Sequence, residues 1–462
     1  MSRPARKPHP AVPPAAPAAP RLAEQVPLII RLEREVEEEF RPPMLARLKE
    51  RVAAVDALQS EHDVACSRCG ERMHSKGRRS CFTLVRFGKL DLRPQTFRCE
   101  GCKVSRRPLL EQLGVEAGRL SGALARLVAL LGVIVPYEQA AQLVLLLFGV
   151  QVSTMTVWRS VQRLGTAAEK YTEEQARFFG DPCHESPGTS PGPLAVVLGV
   201  DGCALGMQVR PKRRRRKGTE PMEALPPVEE GHFREVKTGV LLLPEERVEP
   251  SPGRRSVVRR ALVTCLGNAD QIFERLWAKL HQMSWLGANT VVVIVGDGAE
   301  WIWNRAEMFT KRCEILDFWH AVEKAWEFAR TRHGQGSAVA DQWVARIAKD
   351  LRAGQVAAVI SRLEALLPTT HESEHRKLLE GLIRYYRSHC ERMRYDEYLR
   401  LGYGIGSGAV ESSHKQVVHA RLRQAGMRWS ELGARHLLAL RVLLLNGQWS
   451  LLDRMQMTSL AA

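Results

Sequence analysis

The chain has 462 residues, enough for two or three domains with their own cores, and its 68 Lys and Arg outnumber 51 Asp and Glu for a net charge of +17. That surplus favours a polyanionic partner. No apolar run reaches the roughly 18 to 20 residues that span a bilayer, because SGALARLVALLGVIVPYEQ is interrupted by Arg126 and Pro136, so no membrane partner is expected.

In chain order, residues 1–20 (MSRPARKPHPAVPPAAPAAP) are rich in Pro and Ala and lack the apolar stretch of a signal peptide, and they read as a disordered basic leader. Without an export signal the ten cysteines belong to a reducing cytoplasm, where paired cysteines point to metal before disulfide. Over 21–60, Leu28, Ile29, Leu32, Val36 and Phe40 recur at helical spacing with acids between them. This predicts a helix broken at Pro42 and Pro43 and then resumed, for packing or self-association.

Residues 61–108 carry Cys66-Ser-Arg-Cys69 and Cys99-Glu-Gly-Cys102 around an alternating stretch, FTLVRFGKLDLRPQTFRC, with 29 residues between the two pairs. Two short knuckles bracketing a hairpin are the ligand pattern of a tetrahedral structural zinc ion, which would fold a domain too small for its own core. Cys81 lies outside both knuckles and reads as a strand residue. The basic residues around the knuckles suit either phosphate contacts or a solvated surface.

Residues 115–180 read as helices. One reaches Phe148-Gly149, and the next starts near Ser153 or Thr154, both natural caps, with Arg159 and Arg163 along it. The pair has the form of a helix-turn-helix whose second helix would enter a DNA groove, a form that two ordinarily packed helices share. A linker, DPCHESPGTSPGP, follows.

The stretch LAVVLGVDG then gives a near-continuous apolar run ending in Asp201, as a strand buried on both faces does. The pattern recurs in NTVVVIVGDGAEW, which ends in Asp297. Parallel and adjacent, two such strands would put both aspartates at the carboxyl edge of the sheet. Between them lie a loop of six consecutive basic residues (212–217) containing Arg213 and Arg214, two further strands in HFREVKTGVLLL and RRALVTCLG, and an amphipathic helix in DQIFERLWAKLHQM. CEILD is a strand, DFWHAVEKAWEFAR opens a helix, and 332–400 reads as a polar, Arg-rich helical insertion. A Gly-rich loop then opens the helix of Glu411 in GIGSGAVESSHKQVVHARL, and HLLALRVLLLNGQW closes the chain as an apolar helix.

Three carboxylates in one place suit Mg2+ or Mn2+ and would repel one another without a cation. A lone Asp-Gly after a strand is usually a turn, and an acid opening a helix serves the helix dipole; the recurrence at two buried strand ends is what favours a site. The expected fold is α/β: a mixed sheet in a catalytic region over 190–331, interrupted by the insertion and completed by helices over 401–450.

Asp201 in GVDG, Asp297 in GDGAEW and Glu411 in GSGAVESSHK resemble the DDE triad of bacterial insertion-sequence transposases, and GSGAVESSHKQVVHARLRQAGMRWS is similar to the carboxyl-terminal signature of the IS-Kra-four type. Asp317-Phe-Trp-His320 is similar to the D-x-x-H variant of a motif in Mutator-like transposases. The resemblance covers roughly 190 to 446. It implies an RNase H-like catalytic domain, metal ions held by Asp201, Asp297 and Glu411, and His320 near the scissile phosphate. It also implies transposition of DNA at terminal inverted repeats, by an oligomer that brings two ends together in a bacterial cytoplasm at the nucleoid. Arg421, Arg423, Gln424 and Trp429 become candidates for binding strand ends, with a core role for Trp429 and a packing role for His320 as the plain alternatives. Two other functions stay open: an RNase H-like nuclease such as a junction resolvase, and a zinc-ribbon DNA-binding regulator descended from an inactive transposase.

Overall fold

The computed structural model describes residues 27–59, 64–116, 118–180, 192–208, 232–251, 254–257 and 259–460. The basic leader, most of the linker and the loop with Arg213 and Arg214 lie outside the described residues.

Helix α1 (Leu28–Gln59) runs unbroken through Pro42 and Pro43, where the sequence predicts a break. The prolines forgo two backbone donors, and packing outside the helix compensates. Leu45, Leu48, Val52 and Val55 join Val85, Leu90, Leu109 and Leu110 in a small core, and Arg41 grips Glu37 and the carbonyl of Phe148 beside the proline pair. The first half of α1 instead exposes Leu28, Leu32, Val36 and Phe40.

A small β unit follows. Strands β1 (His74–Arg78), β2 (Cys81–Val85), β3 (Gly88–Leu92), β4 (Gln95–Arg98) and β5 (Ser105–Arg106) form a three-stranded sheet, β1-β4-β5, and a β2–β3 hairpin. The alternation read from FTLVRFGKLDL is realised: Thr83, Val85, Leu90 and Leu92 turn inward while their neighbours face out. Cys81 is a hairpin residue opposite Leu92.

Helices α2 (Pro108–Gln112), α3 (Gly122–Ile134), α4 (Tyr137–Phe148) and α5 (Thr154–Gly180) come next. Helix α4 ends at Gly149, whose φ of +61° is the left-handed closing residue. Ser153 caps α5 by accepting a 3.1 Å bond from the Thr156 N–H. Leu124, Val128, Val144 and Val157 make the core of this helical unit.

The main sheet is built from β6 (Ala195–Gly206), β7 (Phe233–Leu242), a separate hairpin of β8 (Arg247–Ser251) and β9 (Arg254–Val257), then β10 (Arg260–Cys265), α6 (Ala269–Gln282), β11 (Val291–Gly296), α7 (Glu300–Ala306) and β12 (Arg312–Leu316). Its order is β10-β7-β6-β11-β12, with β6, β7 and β10 antiparallel in succession and β11 parallel to both β6 and β12. Of the two further strands that the sequence predicts between the aspartate strands, β7 pairs with β6 and β10 pairs with β7. The β8–β9 hairpin was not legible, because RVEPSPGRRSVV has no apolar alternation to announce it.

After β12, α8 (Phe318–His333) leads into four helices, α9 (Ala338–Arg352), α10 (Val356–Leu366), α11 (Ser373–His389) and α12 (Tyr395–Arg400), where the insertion was expected. These helices share the core of one sheet face: Val344, Leu351, Val359, Leu379 and Tyr386 are buried in the cluster that contains Val197, Ile294 and Leu316. The chain ends with α13 (Gly408–His414), a π-helical turn (Lys415–His419), α14 (Ala420–Leu422), α15 (Glu431–Leu445) and α16 (Leu451–Leu460). Val410, Val417, Leu437 and Leu440 cover the opposite face together with Val161 and Leu164 of α5. Among the described residues no helix is long and apolar enough to cross a membrane.

Candidate functional site

Three neighbouring strands, mutually parallel, bring aspartates to one level of the sheet: β11 and β12 stop just before Asp297 and Asp317, whereas β6 runs on past Asp201 to Gly206, still paired with β7, where the sequence predicts its end. Val295 of β11 pairs with Gly199 of β6, so the register carried forward sets Asp297 beside Asp201. Gly296 pairs with Leu316 of β12, so the next step sets Asp317 on the other side of Asp297. Crossing over these ends, α13 brings in Glu411. Its approach is close, since a Cβ on Gly199 would stand 3.1 Å from Val240 and 3.3 Å from Val410 on that helix.

Each carboxylate is tied differently. Asp201 Oδ1 accepts a 2.6 Å bond from the Gly202 N–H, and Oδ2 lies 3.5 Å from His414 Nε2. Burial raises the Asp201 pKa and the charge of Asp297 adds to this, while His414, the Gly202 N–H and His320 oppose it. Asp297 Oδ1 accepts from the Ala299 N–H at 3.1 Å, and its carbonyl accepts from the Tyr385 hydroxyl at 2.9 Å. Gly298 between them has a φ of +99°, and a Cβ there would lie 3.0 Å from that hydroxyl.

Asp317 is fully buried. Its Oδ1 caps α8 by accepting from the Trp319 N–H at 2.6 Å and the His320 N–H at 2.9 Å, and its Oδ2 accepts from the Ser407 N–H. Burial alone would raise this carboxyl, but the bonds from His320 and Ser407 outweigh it and hold its pKa lowered. His320 Nδ1 stands 3.6 Å from Asp317 Oδ1, an ion-pair separation beyond hydrogen-bond range. Asp317, then Asp297 and Glu323, raise the imidazole to about 9 against its desolvation. Ser407 also donates its hydroxyl to Glu411 Oε1 at 2.9 Å. Ligand atoms of Asp317, His320 and Glu411 lie within 4.8 Å of one another, close enough to share a cation.

Of the residues the sequence singles out, Asp201 and Asp297 stand side by side by strand register and feel one another and His320 electrostatically, whereas Glu411 and His320 come within 4.8 Å of Asp317, in a group that includes neither Asp201 nor Asp297. The structure adds Asp317, His414, Ser407 and Tyr385, which the sequence did not mark as site residues. Asp317 carried a usable signal, because CEILD is a third apolar strand ending in aspartate. Tyr385 carried none, lying 88 positions from the carbonyl it binds.

Away from this edge, Cys66, Cys69, Cys99 and Cys102 converge, with their sulfurs within 4.8 Å of one another. The Cys69 and Cys99 sulfurs are 3.6 Å apart, against the about 3.8 Å of two thiolates on a tetrahedral zinc with 2.3 Å bonds. The two knuckles have the same build. In each, the second cysteine is followed by a residue in the left-handed region, Gly70 at +75° and Lys103 at +57°, whose N–H bonds back to the carbonyl of the first. In each, a backbone N–H also points at the first sulfur: Arg68 to Cys66 at 3.5 Å, and Cys102 to Cys99 at 3.3 Å. The Arg68 bond leads in drawing the Cys66 thiol down to about 7. Four sulfurs so arranged can hold zinc.

The basic and aromatic candidates divide. Arg159 and Arg163 lie exposed on α5, and a groove holds both together with Arg119 and Thr156. Arg423 and Gln424 are also exposed. The expectation that Arg421 and Trp429 meet DNA is corrected. Arg421 is 1% exposed, donates to the Gly132 carbonyl at 3.0 Å, and lies over the rings of Tyr137 (4.9 Å) and Trp429 (5.2 Å). Trp429 is buried and donates its indole N–H to the Leu422 carbonyl at 2.9 Å. A guanidinium stacked between two rings over a satisfied carbonyl is a packing element.

A model of the uncharacterised protein family UPF0236 matches residues 227–457, half of the sequence. The chain belongs to that family. The match covers Asp297, Asp317, His320 and Glu411 and begins after Asp201 and the cysteine knuckles. No curated protein sequence matches the chain. Among solved structures, a chain of the Drosophila P element transposase strand transfer complex is similar at 11% identity, over 74% of this chain and 95% of that one, with a TM-score of 0.32. A likeness of that size decides nothing about the site.

Proposed function

We propose that this member of UPF0236 is a DDE transposase of the insertion-sequence kind, with an RNase H-like catalytic region, that cuts DNA at terminal inverted repeats and joins the ends to a target. The observation that carries this reading is the placing of Asp201 and Asp297 side by side on adjacent parallel strands, with Asp317 next in register and Glu411 and His320 within 4.8 Å of Asp317. The mixed sheet and the helical insertion between Asp297 and Glu411 are the arrangement that the family resemblance implies.

The donor set is mainly carboxylate oxygen, which suits Mg2+ or Mn2+, with Asp201, Asp297 and Glu411 as the holders. Bound there, divalent ions would acidify an attacking hydroxyl and neutralise charge on the leaving oxygen. The chain's own residues do the rest. Ser407 and the strand ends fix the directions of Glu411 and the aspartates, so the ligands are pre-oriented. His320, 3.6 Å from Asp317, stands where it can face a phosphate oxygen. Arg159, Arg163, Arg423 and Gln424 offer contacts to the DNA backbone; the helix-turn-helix positions one end, and the four-cysteine unit is a zinc ribbon. Two ends handled together call for more than one copy of the chain.

The experiment is cleavage of labelled repeat-end DNA with Mg2+ or Mn2+. Asp297→Asn should lower nicking at least about a thousandfold and leave DNA binding within about twofold. A mutant that nicks like the parent overturns the assignment of the acids. Binding without nicking by the parent chain would instead favour a DNA-binding regulator.

A further inference from the structure

His414 has no role in the reading above, and its surroundings call for one. It lies on α13 three residues after Glu411, so both side chains leave the same face of the helix. The ring is 3% exposed, and neither Nδ1 nor Nε2 has a hydrogen-bond partner among the described residues. A neutral imidazole carries one donor and one acceptor, and burying both unmet costs on the order of 1 to 3 kcal/mol for each. Native interiors seldom leave such a group without a purpose.

The place of the ring indicates the purpose. Nε2 lies 3.5 Å from Asp201 Oδ2, and that oxygen is the one left over after Oδ1 takes the Gly202 N–H. Two ligand atoms each about 2.1 Å from a common ion stand at most about 4.2 Å apart, so this separation lies within reach of a shared ion. It is also longer than a good hydrogen bond, which argues against a simple brace.

We propose that His414 Nε2 is a ligand of the ion held by Asp201, so that the site is a mixed oxygen and nitrogen site. This rests on the reading of Asp201 as a metal holder. An imidazole donor disfavours Mg2+, which prefers oxygen, and favours transition ions such as Mn2+.

The test uses the full zinc-loaded chain with Mn2+ as the probe, reading affinity by calorimetry and 14N coupling to the bound Mn2+ by pulsed electron paramagnetic resonance. The parent should show an imidazole 14N signal that survives His320→Gln. His414→Gln should lose the signal and bind Mn2+ about tenfold more weakly while changing Mg2+ affinity far less. Bound Mn2+ with no nitrogen signal in the parent, or a signal that vanishes in His320→Gln and persists in His414→Gln, overturns the proposal and leaves the carboxylate site standing. If Asp201→Asn binds Mn2+ as the parent does, the carboxylate site falls as well. His414→Asn serves as the second replacement, and if neither folds, the parent and His320→Gln spectra decide.

Discussion

At the residue scale, the same chemistry serves opposite ends according to what faces it. Asp317 and Asp201 both follow apolar runs, yet Asp317 accepts three backbone N–H bonds and stays low in pKa while Asp201 accepts one and is raised. The first is built as a brace and the second keeps an oxygen free. Lys279 on α6 gives a cleaner reading of burial. It donates to Gln282 at 2.7 Å and Gln448 at 3.2 Å, and desolvation lowers its pKa from 10.5 to about 8. The unfolded chain therefore holds more protons than the folded one between about pH 8 and pH 10.5, and stability rises with pH through that window. Lys279→Met should flatten this rise, a change of about 1 kcal/mol once partial exposure is allowed for, and denaturant melts at pH 7 and pH 10 measure it. Equal slopes in the two proteins would show that the ammonium is not strained by burial.

Elements differ in how openly the sequence declares them. Strands β6 and β11 could be read in advance, with their aspartates, because a strand buried on both faces must be apolar almost throughout. The knuckles were legible from spacing alone, since two sulfurs two residues apart can grip one side of an ion wherever the chain goes next. Helix α1 was misjudged at Pro42-Pro43 because the contacts that sustain it come from β2, β3 and α2. Arg421 was misjudged because HARLRQAGMRWS looks solvated, and the Gly132 carbonyl that claims its guanidinium is 289 positions away. The knuckle unit carries its own prediction. Its core among the described residues is only Cys66, Met73 and Cys99 with a few partly buried neighbours, so ligand loss should melt it locally. Cys99→Ser or a zinc chelator should abolish amide-exchange protection over 64–106 and leave β6, β11 and β12 protected. Unchanged protection over 64–106 in the chelated protein would show that the unit folds without metal.

For the whole molecule, the decisive contacts are those that fasten the helical unit to the carboxyl-terminal helices that cover the main sheet. Arg441 of α15 is buried and donates to the carbonyls of Val417 at 2.6 Å, Val133 at 2.7 Å and Gln416. One side chain thus satisfies carbonyls of the π-helical turn behind Glu411 and of the last turn of α3. Such turns free carbonyls that need donors, and they recur at functional sites. Arg441→Met strands two buried acceptors and one half-buried one and should cost on the order of 3 kcal/mol, lowering the melting temperature by several degrees. If the melt is unchanged, the turn has found other donors.

Arg421 is fixed to α3 through Gly132 in the same seam, and Val161 and Leu164 of α5 share one core with Val410 of α13, so the helical unit and the carboxylate edge are expected to move together. A stiff body acts as a ruler. If the exposed start of α5 grips a DNA end, the distance from grip to cut is set by protein and not by a hinge. Adding five base pairs between the bound bases and the cleavage point turns the duplex by about half a helical repeat and should stop cutting, whereas ten should restore part of it.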